Sequence, residues 1–470
     1  MDQVLVTIGG TALLLIEFVA VAYVVAYKER STSAFAWSLA IVFLPLLGIG
    51  LLLLFGRERL PKRVERKGRH ADRMRIRPRD GARAPAVRRW AAVEQVAFAL
   101  GATPARAGNE VTLLPDGESA FHAIRSAVAE AKNHIHVEEY IFRNDRLGGD
   151  ILRLLIEKAR AGVQVRLLVD AIGTTGARSL IRELEQAGGR GAVSMPISPF
   201  ARLFAPNHRN HRKIIVCDGR VGFLGGMNVG DEYFGLGLRS RCWADLHLRL
   251  EGPAVLDLQE IFVQDWAFAT DEAPPDADAF PEVVGTGPAR VQIVASGPDE
   301  AVNSAREVMF TALTRASRRI LVSSPYLVPD AGLRDALRNA SLRGVEVVLL
   351  TQGRPPENWL TYVCSRFYWE SWLEAGIRIF EYERGILHAK AVIVDDDWAM
   401  IGSANVDNRS LQLNFEIQSL LDEPETVGPI CAHFAAELTC SREVTAAGFA
   451  RRGVASRAAE SVIRLLAPLL

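Results

Sequence analysis

The sequence predicts an α/β protein of two similar halves, preceded by a two-helix transmembrane hairpin. Three observations carry this. A short string of polar residues occurs twice at a fixed offset. Apolar, β-branched runs alternate with helical patterns, stop at a proline-rich stretch and start again. Two long apolar runs open the chain. A length of 470 residues suits two to three domains with sizeable cores.

The repeated string is His211-Arg212-Lys213, followed by Asp218, Gly225, Gly226, Met227 and Asn228. It returns as His388-Ala389-Lys390, followed by Asp395, Gly402, Ser403, Ala404 and Asn405. Every matched pair is 177 residues apart: 388 − 211, 390 − 213, 395 − 218 and 405 − 228. One His-x-Lys-x4-Asp string is expected on the order of once per ten thousand positions at average composition. Two in register, each with Gly-x-x-Asn at the same distance, argue for internal duplication. Ile214–Cys217 and Ala391–Val394 read as strands. Asp218-Gly219 reads as a hairpin turn, with Val221–Leu224 as the return strand. Alternate residues of a strand share a face, so His211 lies beside Lys213 and His388 beside Lys390. An imidazole next to a fixed ammonium suits an anionic substrate. The first attacks or carries a proton, and the second holds oxygens and developing charge.

The alternation sets out the halves. Helical patterns at Trp90–Leu100, Ala120–Ala131, Ile151–Ala161, Arg178–Ala187 and Val255–Ala267 interleave with strands at Val111–Leu114, His134–Phe142, Val163–Asp170 and Leu246–Leu250. Residues 271–289, with Pro274, Pro275, Pro281 and Pro288, read as a linker. The order then restarts. Helices Val302–Ala316, Ala331–Leu342 and Trp359–Ala375 interleave with strands Arg319–Tyr326, Val345–Leu350 and Ile377–Tyr382. The domains expected are 91–270 and 290–470, in an α/β layer architecture.

Residues 4–27 and 33–55 are almost wholly apolar, and each is about long enough to cross ~30 Å of hydrocarbon as a helix. The start, Met1-Asp2-Gln3, lacks the basic residues of a signal peptide. A two-span hairpin over residues 1–56 is therefore expected. Residues 57–90 form a linker dense in arginine, which places the body on the cytoplasmic side by the positive-inside tendency. A solvated linker and a segment drawn to anionic headgroups both fit this run, and the adjacent bilayer favours the second. The five cysteines are scattered, which argues against zinc or disulfides and for packing roles in a reducing cytosol. No metal-binding cluster stands out. For the apolar end of the chain, Val462–Leu470, a packed helix and a membrane contact both fit.

The two strings resemble the HxKxxxxD motifs of the phospholipase D superfamily. The runs Asn207–Lys213 and Gly222–Tyr233 are similar to those of bacterial cardiolipin synthases, as are the membrane segments and the apolar tail. The resemblance implies two phospholipase D-like α/β/α halves facing one another about a pseudo-twofold axis. It implies that His211 attacks phosphorus and that His388 protonates the departing alcohol, then deprotonates the incoming one. Lys213 and Lys390 would hold the phosphate oxygens. Asp218 and Asp395 belong to the motif set, although their place in or beside turns reads as structural. Asn228 and Asn405 either bind the same phosphate or serve as turn residues. An imidazole needs a carboxylate to set its tautomer. Asp245 and Glu416 match the family's acidic positions, each opposed to the other half's histidine. Gly226 stands where many superfamily members have the serine that Ser403 keeps, which points to unequal halves. The implied reaction joins two phosphatidylglycerols into cardiolipin and glycerol, with phospholipids and the membrane as partners and no cofactor, metal or nucleic acid. Hydrolysis to phosphatidic acid and use of phosphatidylethanolamine remain as alternatives. Two apolar spans argue against a nuclease, and two intact motifs against a decayed scaffold. Oligomeric state is not legible.

Overall fold

A computed structural model describes residues 2–28, 31–56, 88–196, 207–234, 242–272 and 279–469. Two compact units result, the N-terminal helices and the body that follows. The N-terminal unit departs from the expected hairpin. Its first helix, Asp2–Tyr27, is continuous, but the second run divides into Ser31–Phe43 and Pro45–Phe55. Pro45 has no N–H to give to a fourth-preceding carbonyl, and Leu44 leaves the helical region at φ −137°, ψ 66°. Among the described residues no helix is long and apolar enough to cross a membrane. Val24, Ile41 and Leu52 form a small shared core. Most of the basic linker lies outside the described residues. Its last three do not behave as linker: Arg88 pairs with Glu94, Arg89 with Asp395 and Asp397, and Trp90 is buried.

Among the described residues, the body is organised on one sixteen-stranded sheet with two separate two-stranded sheets beside it. The first half supplies β1 (Arg106–Leu114), β2 (His134–Glu139), β3 (Gln164–Asp170), β4 (Arg190–Ser194), β5 (Arg209–Asn210), β6 (Ile214–Cys217), β7 (Val221–Gly225), β8 (Trp243–Ala244) and β9 (His247–Glu251). The second supplies β10 (Ala289–Ser296), β11 (Arg319–Ser323), β12 (Leu327–Val328), β13 (Glu346–Gln352), β14 (Arg378–Tyr382), β15 (Ile386–Leu387), β16 (Ala391–Val394), β17 (Trp398–Gly402), β18 (Val406–Asp407), β19 (Asn414–Leu421) and β20 (Ser441–Glu443). β1 and β10 pair antiparallel and form the seam. Outward from it the order is β9-β7-β6-β2-β3-β4 on one side and β19-β17-β16-β11-β13-β14-β20 on the other. Along this order corresponding steps share their sense, running parallel at β2–β3–β4 and at β11–β13–β14.

Strand alternation distributes the core. Ile215 and Cys217 face the first half's helices Gly117–Glu130, Arg146–Arg160 and Ala177–Gln186, while Ile214 and Val216 join a central cluster with Ile393, Ile401 and Ile417. The helix Ala91–Ala99, which precedes the first half's strands in the chain, packs Val93 and Ala97 into the second half's core. Several elements end where a polar side chain takes over the backbone. β2 stops at Glu139 rather than running to Phe142, because Thr174 Oγ1 donates to Tyr140 O and accepts from Phe142 N, both at 3.0 Å. β11 likewise ends at Ser323, short of Tyr326. The helix expected from Ala120 begins at Gly117, since Asp116 caps Ser119 N at 2.8 Å. At the C-terminal end, the helix Val454–Ile463 and a short 3-10 turn follow, and Ala467 packs with Val328 and Cys364. The tail is thus docked on the body. All five cysteines are free; Cys217 and Cys364 are buried, but Cys242 is exposed and packs less than expected.

Asp218 and Asp395 sit past the far ends of β6 and β16 from the histidines. Both adopt φ 53°. Asp218 accepts from the backbone N–H groups of Lys132, Asn133 and His134 at 2.7–2.9 Å. Asp395 accepts likewise from Ser317, Arg318 and Arg319 at 2.6–2.8 Å. Each motif aspartate therefore fastens the loop that feeds the neighbouring strand. Asp218→Ala orphans three donors, so unfolding free energy should fall by about 1–3 kcal/mol. Asp218→Asn, which tolerates the left-handed backbone, should lose less. Thermal unfolding in detergent checks both.

Candidate active site

The site is built by short pairings that cross between the halves. β5 lies parallel to the start of β19, and His211 N donates to Phe415 O at 2.9 Å. β15 lies parallel to β8, and His388 N donates to Ala244 O at 2.7 Å. The next residue along each partner strand is the acidic one. His211 Nδ1 therefore meets Glu416 Oε2 at 2.9 Å, and His388 Nδ1 meets Asp245 Oδ2 at 2.6 Å. Both carboxylates are fully buried. With Nδ1 engaged, Nε2 is the nitrogen that each imidazole offers for chemistry.

The lysines are buried as well. Lys213 Nζ donates to His211 O at 2.8 Å, and Lys390 Nζ donates to His388 O. Both ammoniums depress both imidazoles, and His211 also acts on His388, so the four groups share one electrostatic environment. Burial is the largest cause for each. His211 lies below the usual histidine value, with Glu416 pulling it back up, and His388 lies well below it. Burial pushes Lys213 down to about 8 against Glu416 and Glu139, with Lys390 adding to the fall, and lowers Lys390 too. Burial lifts Asp245 to about 6 despite Lys390. Burial also pushes Glu416 upward, but His211, Lys213 and Ser403 outweigh it and hold that carboxyl low. The alkaline limb of kcat/KM should therefore fall above pH about 8, where Lys213 loses its proton. Lys213→Arg, whose guanidinium stays charged, should move that limb upward in a pH–rate profile.

Around this core the halves differ. Ser403 Oγ donates to Glu416 Oε2 at 2.5 Å and accepts from Ile417 N at 2.9 Å. At the matching Gly226 a Cβ would come within 2.1 Å of Asp245 Oδ1. The shorter aspartate keeps its carboxylate near its own backbone, accepting from Leu246 N at 2.8 Å, and only glycine leaves room. Gly226→Ser should displace Asp245 from His388 and lower kcat roughly 100-fold, measured at saturating substrate.

Asn228 donates from Nδ2 to Tyr233 OH at 3.0 Å, and that hydroxyl lies 3.4 Å from His388 Nδ1. Asn405 is held through its backbone by Ser410 Oγ at 3.2 Å. The carbonyl oxygens of both asparagines are buried without a partner. Several contributors carry no motif signal. Trp243 packs on His388 and Tyr140 on His211, with ring centroids 4.9 and 4.8 Å apart. Arg212 donates to the backbone oxygens of Glu416 and Ser296 at 3.0 and 3.1 Å and pairs with Asp265, tying the first motif to the second half's strands. Its position between His211 and Lys213 was the available clue: strand alternation turns it to the opposite face.

Two His-x-Lys units joined on one duplicated sheet define a phospholipase D-type enzyme. Residues 124–266 and 309–438 match the family described as "Cardiolipin synthase, PLD-like domain", and residues 18–57 match "Phospholipase_D-nuclease N-terminal". A cardiolipin synthase of Geobacillus kaustophilus is 38% identical over 463 residues, covering 96% of this chain and 91% of that protein. Cardiolipin synthase 2 of Bacillus cereus is 37% identical over 452 residues, covering 94% and 88%. A crystal structure of phosphatidylserine synthase from Haemophilus influenzae shares the fold, with a TM-score of 0.58 at 14% identity over 81% of this chain and 100% of that one. The chain belongs to the cardiolipin synthase family of the phospholipase D superfamily, a family of phosphatidyltransferases.

Proposed function

We propose that this chain joins two phosphatidylglycerols into cardiolipin and glycerol through a phosphatidyl-histidine. The carrying observation is the pair of crossed contacts, His211–Glu416 and His388–Asp245, in one buried cluster with two lysines. His211 Nε2 attacks phosphorus, the bond to the glycerol oxygen breaks, and His388 gives that oxygen a proton. A second phosphatidylglycerol then enters. His388 takes the proton from its glycerol hydroxyl, the oxygen attacks phosphorus, and the phosphorus–nitrogen bond breaks. Glu416 stays ionised beside His211, which holds that imidazole's proton on Nδ1 and leaves Nε2 free to attack. Lys213, Lys390 and the two asparagines hold the phosphate oxygens.

In this reading the halves are residues 91–270 and 290–470, related by a pseudo-twofold axis and joined through 271–289. The apolar runs of residues 1–56 anchor the chain as a hairpin in the cytoplasmic membrane, with Pro45 tolerated inside the second span. The basic run 57–90 keeps the body at the inner leaflet. Lipid donor and lipid acceptor then meet the site in the plane where both reside.

Incubation of the reconstituted protein with labelled phosphatidylglycerol tests the reaction. Cardiolipin and glycerol should appear in equal amounts, and His211→Ala should lower turnover by about 10³-fold or more. Phosphatidic acid alone would make water the acceptor and overturn the proposal. Cardiolipin only on adding phosphatidylethanolamine would replace one substrate.

A further inference from the structure

The helix Val454–Ile463 carries its polarity the wrong way round for a surface in water. Its only acidic residue, Glu460, is 2% exposed and faces the body. Arg366 Nε and Arg452 Nε donate to the two Glu460 carboxylate oxygens at 3.1 and 3.0 Å, and Arg452 also binds Glu370 at 2.6 Å. The outer arc holds Val454, Ala455, Arg457, Ala458, Ser461 and Val462, all exposed. At 3.6 residues per turn these six lie together, opposite Glu460 and Ile463. A helix that faces water turns its apolar stripe inward and its charges outward.

The apolar surface continues past the helix. In the 3-10 turn Arg464–Leu469, Leu465 is 71% exposed and Leu466 is exposed beside it, while Arg464 lies over the Phe367 ring at 4.2 Å. Ala467 packs with Cys364. Leu360, one turn before Cys364 in the helix Trp359–Glu374, is exposed together with Trp359. This surface adjoins the site. Asn408 Nδ2 donates to Ala467 O at 2.9 Å, and Asn405 stands three residues before Asn408. From Gly453 to Leu470 Glu460 is the one acid, so the charges left outside are those of Arg457 and Arg464.

We propose that this face is a membrane contact of the second half, separate from the N-terminal apolar runs. Val454, Val462 and Leu465 enter the interfacial layer of a leaflet, and Arg457 and Arg464 meet the phosphates of anionic headgroups. An amphipathic helix with basic residues flanking its apolar arc is built for that layer. The sign of the charge selects this occupant. A second copy docked on the same face by a twofold axis would set arginine against arginine with no exposed acid between them. The basic run 57–87 of this chain carries the same sign. An anionic bilayer carries the opposite one and also offers the apolar layer that the valines and leucine need. The inference rests on the reading above only in that the substrate is a lipid, whichever lipid that is. The turn that carries Leu465 is bonded to the segment after Asn405, so the contact sets the site's second half against the leaflet from which its substrate comes.

The test reconstitutes the full chain in vesicles whose phosphatidylglycerol bears a photoactivatable diazirine on the first carbons of an acyl chain. After irradiation, lipid adducts are mapped by mass spectrometry. Adducts should appear within residues 454–466. The double variant Val462→Glu, Leu465→Glu should lower them at least about fivefold and raise KM for vesicle-borne lipid about tenfold, with kcat in detergent micelles held within about twofold. If that variant does not fold, Arg457→Glu is read instead and should remove the dependence of the adducts on the anionic lipid fraction. Adducts confined to residues 1–56, a KM that does not move, or photoproducts joining two copies through 454–466 would overturn the contact. A protein that labels at 454–466 but forms only phosphatidic acid keeps the contact and overturns the phosphatidylglycerol reaction alone; one that makes cardiolipin without label there overturns the contact alone.

Discussion

The rest of the structure depends on two backbone hydrogen bonds that cross between halves, His211 N to Phe415 O and His388 N to Ala244 O. Each docks a histidine one residue short of the other half's carboxylate. Neither half contains a complete site, because each supplies an imidazole and the carboxylate for its opposite number. Close approach of the motifs is thus required by main-chain pairing, and the side-chain chemistry follows from that register. Arg212 reinforces it from the far side of the strand by binding Glu416 and Ser296 through their backbone oxygens.

Much of this was legible in the sequence, and for a definite reason. Duplication turns weak local signals into strong ones. The 177-residue offset identified both histidines and both lysines, and it carried over to the asparagines. Asp245 and Glu416 were recognisable through the resemblance to the phospholipase D family, whose acidic positions they match, and the structure brings both to the opposing imidazoles. The limits lie where tertiary contacts override local pattern. The strand after His134 ends early because Thr174, distant in sequence, intercepts its backbone. The helix Ala91–Ala99 completes the core of the half that follows it last in the chain, which chain order alone conceals. Hydropathy read residues 33–55 as one span, since averaging over a window hides the single missing donor at Pro45. Tyr140, Tyr233 and Trp243 carried no motif, and only the folded neighbourhood assigns them to the site.

The two halves have diverged as matched sets rather than residue by residue. Serine accompanies glutamate and glycine accompanies aspartate, because the shorter carboxylate occupies the space that a serine Cβ would need. The electrostatic result is unequal: one carboxyl stays ionised while the other is raised to about 6. A single substitution in either set would inherit the wrong partner. Equal ancestry has therefore yielded two chemically distinct imidazoles within a nearly symmetric frame.

The lysines bear on how two buried cations are held together. Two cations buried side by side repel one another and forgo hydration. Here each ammonium rests on the carbonyl of its own histidine, two residues back. In the proposed reaction, a phosphodiester entering the site would offer the same groups a stronger, charged acceptor. On that proposal, capture of the lipid is a change of ligand at two pre-positioned cations, departure of the product restores the main-chain perch, and turnover leaves neither ammonium stranded in a dry interior.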